Sequence, residues 1–148
     1  MSTTLPPSLT DHVVNYATAD ILENLSRQLI RLMLARRYDD PCITQYLSPE
    51  IEAHWHLYLP TTGLPACRKI LKNLDWRDCA RDVLNSCAVA GDKEATVWLT
   101  TSALRTRLAH QSTIDHIQVL KLDWQRGRQG WVVVRQSSIC GPAFAGPF

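Results

Sequence analysis

Four side chains suited to acid–base or hydrogen-bonding chemistry alternate along one short stretch of the chain. In IEAHWHLYLP, which begins at Ile51, every second residue is apolar and the residues between them are Glu52, His54, His56 and Tyr58. A period of two residues is typical of a β-strand, whose successive side chains lie on opposite faces. The polar face is either exposed to solvent or forms one wall of a polar cavity, and the two interpretations predict different functions.

His54 is the strongest candidate for a catalytic group. A histidine titrates near neutral pH, so one side chain can take up a proton and return it without a cofactor. Glu52 and His56 have the same parity as His54, so they are candidates for substrate binding along the same wall. If the strand face is solvated, His54 is instead a surface or structural histidine.

A second pair of titratable residues, Asp115 and His116, lies in the segment STIDHIQV. Adjacent residues of a strand lie on opposite faces, so only one of the two can line a cavity. Asp115 alternates with Ile117 and Val119, and apolar surroundings raise the pKa of a carboxyl group toward neutrality. Asp115 is therefore a candidate partner of His54 in proton transfer, and His116 is a candidate for substrate binding. The alternative for Asp115 is a solvated residue at a strand end.

Several residues could stabilise or contact a substrate oxygen. Arg135 could hold the negative charge that builds on an enolate or carbonyl oxygen, as could Arg36, although both could equally be surface arginines. Tyr38 and Tyr58 could donate a hydrogen bond to the same oxygen. Trp98 is one of five tryptophans, most of which we expect in the core or at a subunit interface. A tryptophan in a cavity would suit a flat, polycyclic substrate.

The elements that must position these residues follow from hydrophobic periodicity. The patterns predict helices over residues 13–38, 41–47 and 64–75 and strands over residues 51–59, 82–90, 94–106, 114–124 and 131–139. Early helices followed by strands joined through short turns predict an α+β fold, in which a curved antiparallel sheet packs on N-terminal helices and encloses a cone-shaped cavity. We expect one domain over residues 1–148, with loose tails at 1–12 and 140–148. The third helix is expected to carry Arg68, Lys69 and Lys72 on its outer face.

Composition restricts the partners of the chain. A net charge of +2 over 148 residues is too small to indicate binding to nucleic acid or to an anionic membrane. The five cysteines include no Cys-x-x-Cys pair, which favours reduced thiols in a cytoplasmic protein. No nucleotide-binding or zinc-hydrolase motif is present, so we expect neither a cofactor nor a metal. Apolar side chains on both faces of the strand over 94–106 predict a homodimer through the outer face of the sheet.

A set of residues at characteristic positions resembles the SnoaL-like branch of the nuclear transport factor 2-like superfamily over residues 20–138. The set is Tyr46, Leu47, Pro49, Glu50, His54 and Gly63, followed late in the chain by the hairpin IQVLKLDWQRGRQGWVVV. Several relatives have a carboxylate near the end of the last strand, where this chain offers Arg135 in WVVVRQSSI, and Asp115 is the nearest substitute.

The resemblance implies a cofactor-independent isomerase or cyclase of secondary metabolism. Its substrate would be a small, hydrophobic, polycyclic intermediate derived from a polyketide or a terpenoid, such as a meroterpenoid. The catalytic residues would be His54, Asp115 and Arg135. A dehydratase of the same fold, or a non-catalytic ligand-binding or dimerisation module, is the alternative.

Overall fold

The helices of the described chain lie in its first half, and strands make up the second half. The computed structural model describes residues 15–54, 60–73, 83–107 and 113–142, and for residues 70–73, 102–107, 113–118 and 139–142 it describes the backbone. The elements are helices α1 (Tyr16–Leu34), α2 (Pro41–Tyr46) and α3 (Leu64–Asn73) and strands β1 (Leu47–His54), β2 (Thr61–Thr62), β3 (Val83–Ala90), β4 (Glu94–Arg107), β5 (Thr113–Gly127) and β6 (Gly130–Pro142). Of the helices in these ranges, none is long and apolar enough to span a membrane.

Both ends of α1 are capped by local hydrogen bonds. The side chain of Asn15 accepts a hydrogen bond from the backbone N–H of Thr18 at 3.1 Å, as expected of an asparagine N-cap. At the other end, the N–H of Arg37 donates to the carbonyl of Leu32 at 2.8 Å and the N–H of Arg36 to that of Met33 at 3.0 Å. This pair of bonds is a Schellman motif, and its left-handed residue is Arg36, with φ of 61°.

The six strands form one sheet in the order β2-β1-β6-β5-β4-β3. The predicted α+β architecture, with N-terminal helices packed on a curved sheet, is confirmed. Strands β3 to β6 pair antiparallel as successive neighbours, whereas β1 pairs parallel with β6. The sheet is therefore mixed, because the last strand of the meander returns beside β1 and runs in the same direction.

One face of the sheet is buried under the helices. Val97, Leu99, Leu122 and Trp124 are each at most 1% exposed on this inner face. The indole Nε1 of Trp124 donates to the Oγ of Ser26 in α1 at 2.9 Å, and Ser26 is itself fully buried. This bond fixes α1 against the C-terminal part of β5.

The strands extend beyond their predicted limits at several places. β1 begins at Leu47 and contains Pro49, which is tolerated because the β1–β6 register shifts between Leu47 and Glu52. Thr61–Thr62, predicted to be part of a turn, pairs with β1 as a two-residue strand. β6 continues to Pro142, so residues 140–142 belong to the sheet and not to a loose tail.

Candidate functional site

A largely enclosed cavity lies between the three helices and strands β1 and β6. The space open to the centre of a water molecule is about 10 Å³, which is room for about one water. The described residues that line it are Met33, Tyr38, Ile43, Leu47, Ile51, Leu64, Cys67, Arg68 and Gln136. The cavity is thus a small apolar chamber with four polar side chains.

Three of these polar side chains are buried. Tyr38 is 4% exposed and Gln136 is 3% exposed. The Nε2 of Gln136 lies 4.0 Å from the Sδ of Met33. The Sγ of Cys67 lies 3.9 Å from the carbonyl oxygen of Ile51. Burial raises the pKa of the Cys67 thiol, so this residue is a protonated, weakly polar wall of the cavity at neutral pH and not an activated nucleophile.

Arg68 differs from the other lining residues. Every other lining residue is buried, whereas Arg68 is partly exposed and so lies where the cavity meets solvent. Its Nη2 donates to the Oγ1 of Thr44 at 3.0 Å, but its Nε is buried without a hydrogen-bond partner. An unpaired buried donor costs about 1–3 kcal/mol, more for a charged group. The expectation that Arg68 lies on the outer face of its helix is therefore wrong. It follows Leu64 by one helical turn, and that spacing places it on the core side.

Three of the predicted site residues meet on the other face of the sheet. The Oε2 of Glu52 lies 3.3 Å from the Nε of Arg135 and 3.5 Å from the Nε2 of His54. The side chains of Glu52, His54 and Arg135 are 47%, 44% and 51% exposed. The hydrogen bond from Arg135, and then that from His54, lowers the pKa of the Glu52 carboxyl. We call these three residues the outer-face cluster.

The odd-numbered residues Ile51 and Ala53 of β1 face the helices. Ile51 and Ala53 are each 1% exposed, and Ile51 lines the cavity. The structure therefore supports the interpretation in which the polar face of β1, with Glu52 and His54, is exposed to solvent.

The sheet register separates His54 from Asp115. His54 pairs with Ser137, and Ser137 pairs with Lys121. Asp115 precedes Lys121 by six residues on β5, which is roughly 20 Å along a strand. The structure thus does not bring the backbone of these two residues together. Asp115 pairs with Arg105 and His116 with Leu104.

The other predicted residues are distributed over both faces. Tyr38 lines the cavity. Trp98 is 38% exposed and pairs with Cys87 and Lys121, on the outer face. His56 and Tyr58 lie outside the described residues. In the part of the chain that is described, no group of three or more His, Cys, Asp or Glu residues could hold a metal ion.

Sequence reasoning missed three residues of the cavity region, namely Thr44, Arg68 and Gln136. The signal for Gln136 was its parity, because it lies one residue after Arg135 and pairs with the buried Ala53. The spacing of Leu64 and Arg68 was the signal for Arg68. No sequence signal indicated Thr44, whose contact with Arg68 joins α2 to α3 across 24 residues.

Comparison with known proteins gives structural neighbours without sequence relatives. No protein-family profile and no curated protein matches the sequence.

An NTF2-like protein of unknown function from Pseudomonas putida superposes with a TM-score of 0.62 at 15% identity, over 85% of this chain and 88% of that one. The hexachlorocyclohexane dehydrochlorinase LinA-type3 from Novosphingobium barchaimii gives a TM-score of 0.56 at 13% identity, over 86% and 90%. The CaMKII hub of S. rosetta gives 0.64 at 11% identity, over 83% and 96%. Identities this low establish architecture alone, and the chain therefore has the nuclear transport factor 2-like fold.

Proposed function

We propose that the protein is a cofactor-independent isomerase or cyclase that acts on a polyketide- or terpenoid-derived intermediate. The observation that supports this proposal is the cavity inside the cone, where an apolar wall surrounds the phenol of Tyr38, the amide of Gln136 and the guanidinium of Arg68. Apolar pockets with a few convergent polar groups are typical of small-molecule sites. The dehydrochlorinase with the same fold adds the precedent of an enzyme built on this architecture. A dehydratase remains the alternative chemistry.

The cavity groups are better placed than the outer-face cluster to contact a ligand within the cone. With room for about one water, the cavity admits one oxygen-bearing corner of a substrate. The larger polycyclic body would lie at the mouth, beside Arg68. Tyr38 would line the wall beside the substrate oxygen, and Arg68 would balance the charge that develops on it.

Deuterium incorporation tests this proposal without knowledge of the product. The protein is incubated in heavy water with a panel of polyketide-derived ketones and terpenoid enones, and exchange next to the carbonyl is followed by mass spectrometry. We expect exchange above buffer for at least one compound. Ile51→Phe, which fills the cavity, should reduce the rate by about tenfold or more. Ile21→Phe is the matched control, because Ile21 is 59% exposed on α1. Equal rates in buffer and protein for the whole panel, or an unaffected Ile51→Phe variant, would contradict the proposal.

Two further variants decide which groups move protons. If His54 and Asp115 act as the predicted pair, His54→Ala and Asp115→Asn each lower the exchange rate by ~10²–10⁴-fold. Their combined effect should be less than additive if they act as a unit. Wild-type rates in both variants would show that this pair does not move the proton, and Glu52, His56 and His116 would be replaced next.

A second candidate function, self-assembly, is favoured by the outer face of the sheet. Val89, Trp98 and Val119 are 52%, 38% and 42% exposed, and Cys87 beside Trp98 is exposed as well. Contiguous exposed apolar side chains are typical of interaction surfaces. We propose that two copies of the chain pair through this face, and light scattering should give a mass of twice 16.8 kDa. A monomer at micromolar concentration would contradict this second proposal.

A further inference from the structure

We propose that Arg68 is the anchor for a carboxylate group, so that the ligand of the cavity is a small apolar molecule with one ionised acid. This inference rests on the proposed function in one respect, namely that the cavity is the ligand site. It adds the chemical class of the ligand and the residue that selects it.

The first observation is the unpaired donor. The Nε of Arg68 is buried and has no hydrogen-bond partner, although a guanidinium offers donors at all of its nitrogens. Buried polar groups in folded proteins nearly always have a partner, so an exception indicates a missing ligand or water.

The second observation is the way in which the guanidinium is held. Its Nη2 donates to the Oγ1 of Thr44 at 3.0 Å, and this bond ties one edge of the planar group to α2. The Nε lies on another part of the same rigid plane, so the Thr44 contact fixes its direction as well. Arg68 is thus positioned before a ligand arrives, which lowers the entropy cost of binding.

The third observation is the charge of the surroundings. Among the described residues, no carboxylate forms an ion pair with Arg68, and the other lining residues carry no formal charge at neutral pH. A carboxylate would supply both the missing acceptor and the missing negative charge. A carboxylate adds an ion-pair attraction and bidentate geometry that a neutral amide lacks, so an acid should be preferred over its amide.

The size of the cavity restricts the ligand further. Room for about one water admits one carboxylate oxygen, so the rest of the head group would lie at the mouth. We therefore expect acetate to bind more tightly than pivalate, whose three methyl groups would crowd the mouth.

The experiment follows the Nε–Hε signal of Arg68 in ¹⁵N-labelled protein by NMR at constant pH and ionic strength. The signal is assigned by its absence in Arg68→Lys. Titration with sodium acetate should shift it to saturation, whereas acetamide and pivalate should bind about tenfold more weakly or not at all. Arg68→Lys keeps the charge but loses the fork of donors, and its acetate affinity, measured on backbone amide signals, should fall by about tenfold or more. Arg126→Lys, at an exposed position on β5, is the matched control and should bind acetate as the wild type does.

Thr44→Val tests the same inference through a different residue. Thr44 is exposed, and its replacement removes the hydrogen bond to Arg68 without changing Arg68 itself. We expect acetate affinity to fall severalfold as the guanidinium loses its fixed direction.

Three results would overturn the inference. The first is that acetate produces no saturable shift of the Arg68 Nε–Hε signal, and the second is equal affinity for acetate and acetamide. The third is an Nε–Hε group that contacts water and not acetate. A failure of the proposed enzymatic function can be distinguished from a failure of the carboxylate site, because acetate binding is measured without turnover. If acetate binds but no ketone in the panel exchanges deuterium, the proposed enzymatic activity is contradicted and the carboxylate site is still supported.

Discussion

At the scale of single residues, Glu52 holds the outer-face cluster together. Its Oε2 accepts from Arg135 at 3.3 Å and lies 3.5 Å from the Nε2 of His54. Since all three side chains are about half exposed, solvent and salt screen these interactions. The cluster links β1 to β6, but it lacks the desolvated surroundings that tune groups for catalysis.

Replacement of Glu52 by Gln should give a pH-dependent loss of stability. Arg135 and then His54 lower the pKa of the folded-state carboxyl, so its stabilising effect is present above the unfolded pKa of about 4.3 and is lost as the pH falls through the folded value. Urea unfolding should show the wild type as more stable than Glu52→Gln at neutral pH, and the difference should shrink as the pH falls below about 4.3. In a double-mutant cycle, Arg135→Gln should cost less once Glu52 has been replaced. A stability difference independent of pH would contradict the role of this carboxylate.

A single hydroxyl should matter much more inside the core. Ser26→Ala removes the acceptor of the Trp124 indole N–H, and both residues are at most 1% exposed. An unsatisfied buried donor predicts a loss of about 1–3 kcal/mol in the free energy of unfolding. Ser48→Ala, which removes an exposed contact with the N–H of Glu50, is the control and should change stability by less than about 0.5 kcal/mol. Equal losses in the free energy of unfolding for the two variants would show that the indole N–H donates to another acceptor when Ser26 is replaced.

The alternation in β1 could be predicted from sequence, whereas the side of the sheet that the helices cover could not. Ile51, Glu52, Ala53 and His54 occupy the predicted parities. Which parity is solvated depends on the docking of α2 and α3 against β1, and the alternation of the strand does not encode this tertiary packing. For the same reason, the buried Nε of Arg68 depends on Thr44, a residue of another helix.

At the scale of elements, the end of α1 carries local strain. Arg36 has φ of 61° at the position that glycine usually occupies in a Schellman motif. For a residue with a Cβ, the left-handed conformation costs roughly 1–2 kcal/mol.

Arg36→Gly should therefore stabilise the protein. The relief of strain exceeds the added entropy of glycine in the unfolded chain, and we expect a net gain of about 0.5–1 kcal/mol. Thermal unfolding is a suitable measurement, with Arg37→Gly as the neighbouring control, since the left-handed residue of this turn is Arg36. An unchanged or lower melting temperature in Arg36→Gly would show that its side chain contributes contacts that outweigh the strain.

Element identity was easier to predict than element pairing. The hydrophobic spacing of α1 and the alternation of β4 follow from local sequence. The parallel pairing of β1 with β6 joins Glu52 to Arg135, which are 83 residues apart. No local pattern encodes such a pairing, and the same is true of the two-residue strand at Thr61–Thr62.

At the scale of the whole molecule, the outer face of the sheet has two halves. Val89, Trp98 and Val119 contribute exposed apolar side chains to the half on β3 to β5, which we call the apolar half and which also carries the Lys121–Asp123 ion pair. Glu52 and Arg135 belong to the charged half on β1 and β6. The apolar half is the part that a second copy would cover in the proposed homodimer.

Val89→Glu should weaken that homodimer. A buried, unpaired carboxylate is costly at an apolar interface, so we expect the scattering mass to fall toward 16.8 kDa. Ile21→Glu places the same charge on α1, at a position 59% exposed, and should leave the mass unchanged. Equal dissociation in both variants would point to an interface other than the sheet.

The parallel pairing of β1 with β6 has a consequence for how the protein is made. During translation, β1 leaves the ribosome some 80 residues before its neighbour β6 exists. The segment from α2 to α3 must therefore wait, with Ile51 and Leu64 unburied by the sheet, while α1 can already pack on the sheet that β3, β4 and β5 form. Arrival of β6 joins the two parts in one step, so chaperones are expected to engage the nascent chain before Gly130 emerges and to release it after Pro142.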